Sequence, residues 1–222
     1  MLTPTNLQIQ TLRLYGELIS RRPSYGGRLI FTCGDACSAT GLPAAVSIAG
    51  GTTLLLDPDT ATVKSVFRTG GLDFVVNTLD EAVRVLKNEV RKQTPLSVAL
   101  TADPAVILAE LRERGLQPDL EVSIGGTATN LALTTLQLST ADGLIQPTEH
   151  ALAWLAARDW SETWLPTETT ADLRTLDARL ISHLTDDLRR QWLTRIPHYQ
   201  RPASNSGRAI WLTPSEQSAI AS

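Results

Sequence analysis

The chain is poor in the residues that build metal and disulfide sites, with two cysteines, three histidines and one methionine in 222 residues. Cys33 and Cys37 cannot form a disulfide framework. Their C-x3-C spacing is not the C-x-x-C of a zinc or redox site, and no second pair exists to complete one. None of His150, His183 and His198 has a ligating neighbour one helical turn away, so no metal site is expected. Long apolar runs are also missing, and nothing approaches the ~20 residues that a membrane span needs. The N-terminus lacks the basic and apolar segments of a secretory signal. Twenty basic residues against 23 acidic ones leave a net charge of −3, with none of the positive excess that nucleic acid or an anionic membrane attracts. These absences lead us to expect a cytoplasmic globular protein with no nucleic-acid or membrane partner.

What is present is organised around Arg28 to Asp57. A short apolar run from Leu29 to Thr32 stops at Gly34, and a loop of small residues leads to Gly41. Pro43 opens a run rich in Ala, Val and Ile, Gly50 and Gly51 close it, and a second apolar run ends on Asp57. Strand, small-residue loop, short helix, strand and acid follow one another as in the first half of a doubly wound nucleotide-binding sheet. The alternation continues. Strands are predicted near residues 28–32, 52–56, 73–76, 97–101 and 120–124. Helices are predicted at Thr60–Thr69, Leu79–Lys92, where Thr78 and Glu81 form a capping box, and Asp103–Arg114. Strict alternation predicts an α/β fold, a doubly wound parallel five-stranded Rossmann-like sheet in the order 3-2-1-4-5, with added N- and C-terminal helices.

Three parts are expected along the chain: an N-terminal amphipathic helix and linker over residues 1–24, a sheet domain over 25–130, and a mainly helical part over 131–222. The last part holds all five tryptophans, Trp154, Trp160, Trp164, Trp192 and Trp211. It also carries a leucine-rich stripe from Leu173 to Leu188 on one or two helices, followed by a loosely structured tail from Pro197. That much apolar surface outside the alternating pattern leads us to expect homodimer formation through the C-terminal helices. Packing of the same residues within the chain is the competing expectation.

The stretch from Tyr25 to Asp119 resembles the NAD-binding domain of the urocanase (urocanate hydratase) family. The resemblance is carried by Tyr25-Gly26-Gly27 before the first strand, by Gly34 and Pro43 around the loop, and by AAVSIAGG in the place of the family's Ala-rich helix. Asp57 stands where the family ends the second strand on an acid. LDEAVRVL, PLSVAL and AVILAELRERGLQPDL follow in the family's order. The resemblance implies the Rossmann-like fold, NAD as the cofactor and a lyase (hydratase) activity. It implies a cofactor-binding set of Gly34, Cys37, Ser38, Gly41, Asp57, Asp103, Gly125 and Gly126, with Asp57 placed to meet a ribose.

The chain departs from the family at the functional motifs. The family's glycine-rich loop reads GDACSATGLP here, so side chains stand where backbone would approach a pyrophosphate. The G-N-A motif is replaced by Ala102-Asp103-Pro104, which brings a carboxylate and removes an N–H donor. The D-Q-T-S-x-H segment reads VSIGGTATN, without its histidine and glutamine. The expectation is therefore a diverged, non-catalytic module for a small, dinucleotide-type ligand, with its catalytic residues unassigned and NAD binding in doubt. Two alternatives stand beside it: an active urocanase-like lyase that uses the altered loop and Cys37, and an oligomerising interaction protein without a ligand.

Overall fold

The structure is a computed structural model and describes residues 4–34, 41–68, 70–126, 133–199 and 207–221. From the N-terminus, α1 (Pro4–Arg21) precedes β1 (Leu29–Cys33), α2 (Leu42–Ile48), β2 (Thr52–Leu56), α3 (Thr60–Arg68) and β3 (Phe74–Val76). Next come α4 (Leu79–Lys92), β4 (Leu96–Leu100), α5 (Pro104–Glu113), β5 (Leu120–Ile124), β6 (Thr135–Ala141) and β7 (Leu144–Gln146). The chain ends with α6 (Glu149–Ala156), β8 (Ser161–Pro166), α7 (Thr170–His183), α8 (Asp187–Tyr199), β9 (Gly207–Leu212) and α9 (Pro214–Ala221).

The main sheet has seven strands in the order β3-β4-β2-β1-β5-β6-β7, all parallel except the pairing of β6 with β7. The five expected strands are present and parallel, but their order is corrected. β4 lies between β2 and β3, and β5 lies on the far side of β1. Burial explains the correction. β4 is apolar or small at every position and buried over Ser97–Leu100, so it needs a neighbour on both sides. β3 has three residues, and Phe74 and Val75 are exposed, so it suits the edge.

Successive residues of each strand serve opposite faces. Leu29 and Phe31 of β1 join Leu54, Leu56, Val98 and Leu100 under α4 and α5. Ile30, Leu55, Ala99 and Val122 face a second cluster containing α1, α2, α3, α8 and β9. Thr78 caps α4 as expected, accepting a hydrogen bond from the Glu81 N–H at 3.3 Å. The return bond of the box differs: the Glu81 carboxylate accepts from Asn77 N–H at 3.1 Å instead of from Thr78.

The N-terminal helix is more than a layer laid on the sheet. Its apolar Leu12, Leu14, Tyr15 and Leu18 are buried, and so are Gln8, Gln10, Thr11 and Glu17. Gln8 and Glu17 are used to tie distant elements together. The Gln8 side chain pairs with the β9 backbone, donating to Gly207 O at 3.2 Å and accepting from Ala209 N–H. Glu17 accepts from the Thr148 hydroxyl at 2.9 Å and so ties α1 to the start of α6.

The C-terminal part holds four helices and an antiparallel β8–β9 ribbon among the described residues. The loose tail expected from Pro197 is corrected over the described residues, because Pro197–Tyr199 continue α8, every residue of β9 is buried and α9 follows it; residues 200–206 of that expectation lie outside the described residues. Trp160, Trp192 and Trp211 lie inside the chain. Tyr15 stacks on Trp192 and Trp211 at 5.7 and 6.0 Å, and Trp211 stacks on Trp160 at 6.2 Å. Burial pushes the Tyr15 hydroxyl far above its ordinary pKa, and the neutral group donates to Leu188 O at 2.9 Å. Leu173, Leu180 and Leu184 of the expected stripe are also buried within the chain. Trp154 and Trp164 remain partly exposed.

Candidate functional site

The winding of the sheet reverses between β1 and β5. From β1 the chain moves to β2 on one side, and from β5 it moves to β6 on the other. In open α/β sheets, ligands settle outside the carboxyl ends of the strands at such a reversal. Gly34, Gly41, Asp57, Asp103, Gly125 and Gly126 of the expected cofactor-binding set lie on that edge, in the segments following β1, β2, β4 and β5. Cys37 and Ser38 lie outside the described residues.

Gly34 ends β1 and donates its N–H to Leu56 O at 3.0 Å, which pins the mouth of the loop to β2. Its φ of 89° requires glycine. Among the described residues, no heavy atom lies within 4 Å of where its Cβ would stand. Gly41 is different. It also has positive φ, 77°, but a Cβ there would run into the Thr11 hydroxyl of α1. Gly41 is thus a packing glycine that lets α2 close on α1, while at Gly34 the described residues leave the Cβ position open.

Asp57 is fully buried. Its Oδ1 accepts from Asp59 N–H at 2.8 Å, and its own N–H donates to Leu100 O at 3.3 Å. Asp59 in turn accepts from Thr62 Oγ1 and from the Ala61 and Thr62 N–H groups at the start of α3. The Thr62 hydroxyl and these amides hold the Asp59 carboxyl below its ordinary value. The two aspartates form one turn-and-cap unit, and the Asp57 carboxylate faces into it. Asp103 is exposed, and its carbonyl accepts from Ile107 N–H at 3.2 Å as α5 begins.

Gly125 and Gly126 are exposed at the end of β5. Gly125 has φ 64° and donates to Leu138 O at 2.9 Å. Gly126 O accepts from Ser123 Oγ and Gln137 Nε2, both at 3.2 Å. These glycines form one wall of a cleft of about 590 Å³, in the usual range for small-ligand sites. The hairpin of β6 and β7 supplies the other walls through Gln137, Ser139, Thr140 and Gln146. No charged side chain lines this cleft among the described residues. Its polar groups are amides, hydroxyls and backbone.

The cleft was missed from the sequence because the segment after Gly126 showed no clear period. One signal was available. Asp142-Gly143 joins β6 to β7 with both residues at positive φ, 53° and 75°. Asp-Gly between apolar alternations is a strong mark of a two-residue hairpin.

One solved structure, described as the crystal structure of AibC, is similar to this chain over 65% of its length at 11% identity and a TM-score of 0.34. The chain spans 40% of the length of that protein. Over residues 10–127, more than half of the chain, the sequence matches the family described as Urocanase, the urocanase Rossmann-like domain, and the chain belongs to that family.

Proposed function

We propose that this chain is a urocanase-like Rossmann module that binds a small, dinucleotide-type ligand and does not hydrate urocanate. One observation carries the reading. Gly34 on one side, and the exposed Gly125 and Gly126 on the other, put positions without side chains on both sides of the point where the sheet reverses its winding. The family is NAD-binding, and these residues fit that ligand in part. The three glycines would give its diphosphate room to lie against the strand ends, with the Gly34 and Gly125 N–H groups already committed to Leu56 O and Leu138 O, and the uncharged cleft between β5 and the β6–β7 hairpin would take a ribose or carboxamide. Asp57 does not fit the ribose role in this conformation, because its carboxylate is engaged in its own turn. Asp103 adds a negative charge to the same edge, which opposes a phosphate there. The hydratase is left out of the reading because VSIGGTATN lacks the histidine and glutamine of the family segment it replaces.

Calorimetric titration of the purified chain with NAD and with ADP-ribose tests the binding. Saturable binding that Gly34→Val weakens supports the proposal, and the absence of binding by both ligands overturns it. Loss of urocanate absorbance with steady turnover would show the lyase alternative to be right. Trp154 and Trp164 are the aromatic surface still open to the proposed homodimer.

A further inference from the structure

A second cleft, of about 510 Å³, lies between α1, α6 and the β8–β9 ribbon. It meets the first at Gln146 and Pro147, which line both. We propose that this cleft is a binding site for a free α-amino acid with a large apolar side chain.

The floor suits such a side chain. Trp160 and Trp211 are buried there, and Leu152 and Leu155 add aliphatic wall. Gly16 is part of the design, since a Cβ at that position would stand 2.9 Å from the Trp211 ring. The polar end is supplied by Arg13 and Glu162, which are more open to solvent than the tryptophans, with side chains 21% and 29% exposed. Their pairing is bidentate, at 2.8 and 3.0 Å, and Arg13 Nη1 also donates to Ile145 O at 2.9 Å. The pair is held rigid by these bonds and still has capacity to spare. A guanidinium carries five N–H donors and a carboxylate about four acceptor positions. The bonds to Glu162 and Ile145 use three of those donors and two of those acceptor positions. An ammonium group can therefore sit on Glu162 and a carboxylate on Arg13 without breaking the ion pair. A zwitterion matches this arrangement in charge, whereas an amine or an acid alone satisfies only half of it.

The test is calorimetric titration of the full chain with L-phenylalanine, L-leucine, phenethylamine and 3-phenylpropanoate. The amino acids should bind. Removing either charged group should weaken binding roughly ten- to a hundred-fold, the range for hydrogen bonds to charged groups. Leu152 is 52% exposed, so Leu152→Glu should leave the melting temperature unchanged while abolishing binding. Glu162→Gln should weaken phenylalanine and leave 3-phenylpropanoate unaffected. Failure of both amino acids to bind overturns the proposal. Equal affinity for phenylalanine and its two truncated forms overturns it, as does unchanged binding to the Leu152→Glu chain.

Discussion

Gly34→Ala and Gly41→Ala make the same chemical change at positive φ, at the two ends of one loop, and the structure assigns them different consequences. At Gly41 two costs add. A side chain in the left-handed region costs about 1–2 kcal/mol. The new Cβ is also forced onto Thr11 Oγ1, with Leu7 Cδ1 and Thr11 Cβ each 3.4 Å away. Overpacking of that kind costs about 1–3 kcal/mol. Thr11 cannot step aside cheaply, because it is buried and its hydroxyl donates to Leu7 O at 2.7 Å. The total is about 2–5 kcal/mol, a large part of the roughly 5–15 kcal/mol that holds a typical domain together. For a chain of this size it corresponds to a fall in melting temperature of roughly 4–20 °C. At Gly34 the backbone cost alone applies, about 1–2 kcal/mol, and ligand binding should suffer more than stability. Urea denaturation of the two variants and of Thr11→Ala/Gly41→Ala tests the argument. Removing the Thr11 hydroxyl should return part of the overpacking cost, a coupling the double-mutant cycle isolates. Equal stability of the two alanine variants, or strict additivity in the cycle, would falsify the division of the loop into a packing glycine and an open one.

Three further outcomes are expected. Arg208 and Asp177 form a buried bidentate pair at 2.7 and 2.6 Å. Arg208→Met strands the carboxylate and should cost about 3–5 kcal/mol in urea denaturation, much of it recovered in Asp177→Leu/Arg208→Met. A Glu216 clamp on α9 should loosen in acid. Burial pushes this carboxyl up, but its hydrogen bonds from Arg189 and Thr213 outweigh that and hold it below the ordinary value. A depressed acid contributes stability that is present above its unfolded pKa of about 4.5 and is lost as pH falls through the folded value. Glu216→Gln should flatten that acid limb of the urea midpoint against pH, and an unchanged limb counts against the clamp. Sedimentation over a rising concentration series should show a dimer that Trp154→Lys with Trp164→Lys returns to monomer; a monomer at every concentration removes the homodimer.

Local signals made much of the α/β unit legible. Each of the first five strands is a short apolar run bounded by Gly, Pro or Asp, and the helices between them carry caps and a 3–4 spaced apolar face. Those signals depend on neighbours along the chain, so β2, α4 and β5 came out with the boundaries expected for them. The same glycines and acids lead to the expectation of a ligand at the carboxyl edge of the sheet. Side-by-side order is another matter. It depends on how completely each strand must be covered, and so the exposure of Phe74 and Val75 put β3 at the rim and β4 inside.

Other features arise only from contacts between distant residues. β9 is held by Gln8, about 200 positions away, and Trp211 finds its place against Gly16 and Tyr15. The tryptophan-rich segment looked like surplus surface because its partner, α1, lies at the other end of the sequence. Asp57 reads as a ribose ligand in the motif, and the turn through Asp59 engages its carboxylate instead. The cleft between α1, α6 and β8 depends on segments far apart in the chain, whereas the one between β5 and the β6–β7 hairpin is built by consecutive strands. The sequence by itself determined the first five strands, the helices between them and the edge that carries the glycines, because these rest on local periodicity and backbone chemistry. Tertiary packing decided that Gly41 is a packing glycine and where the tryptophan-lined cleft lies, because both depend on side chains that meet only when the chain has closed around α1.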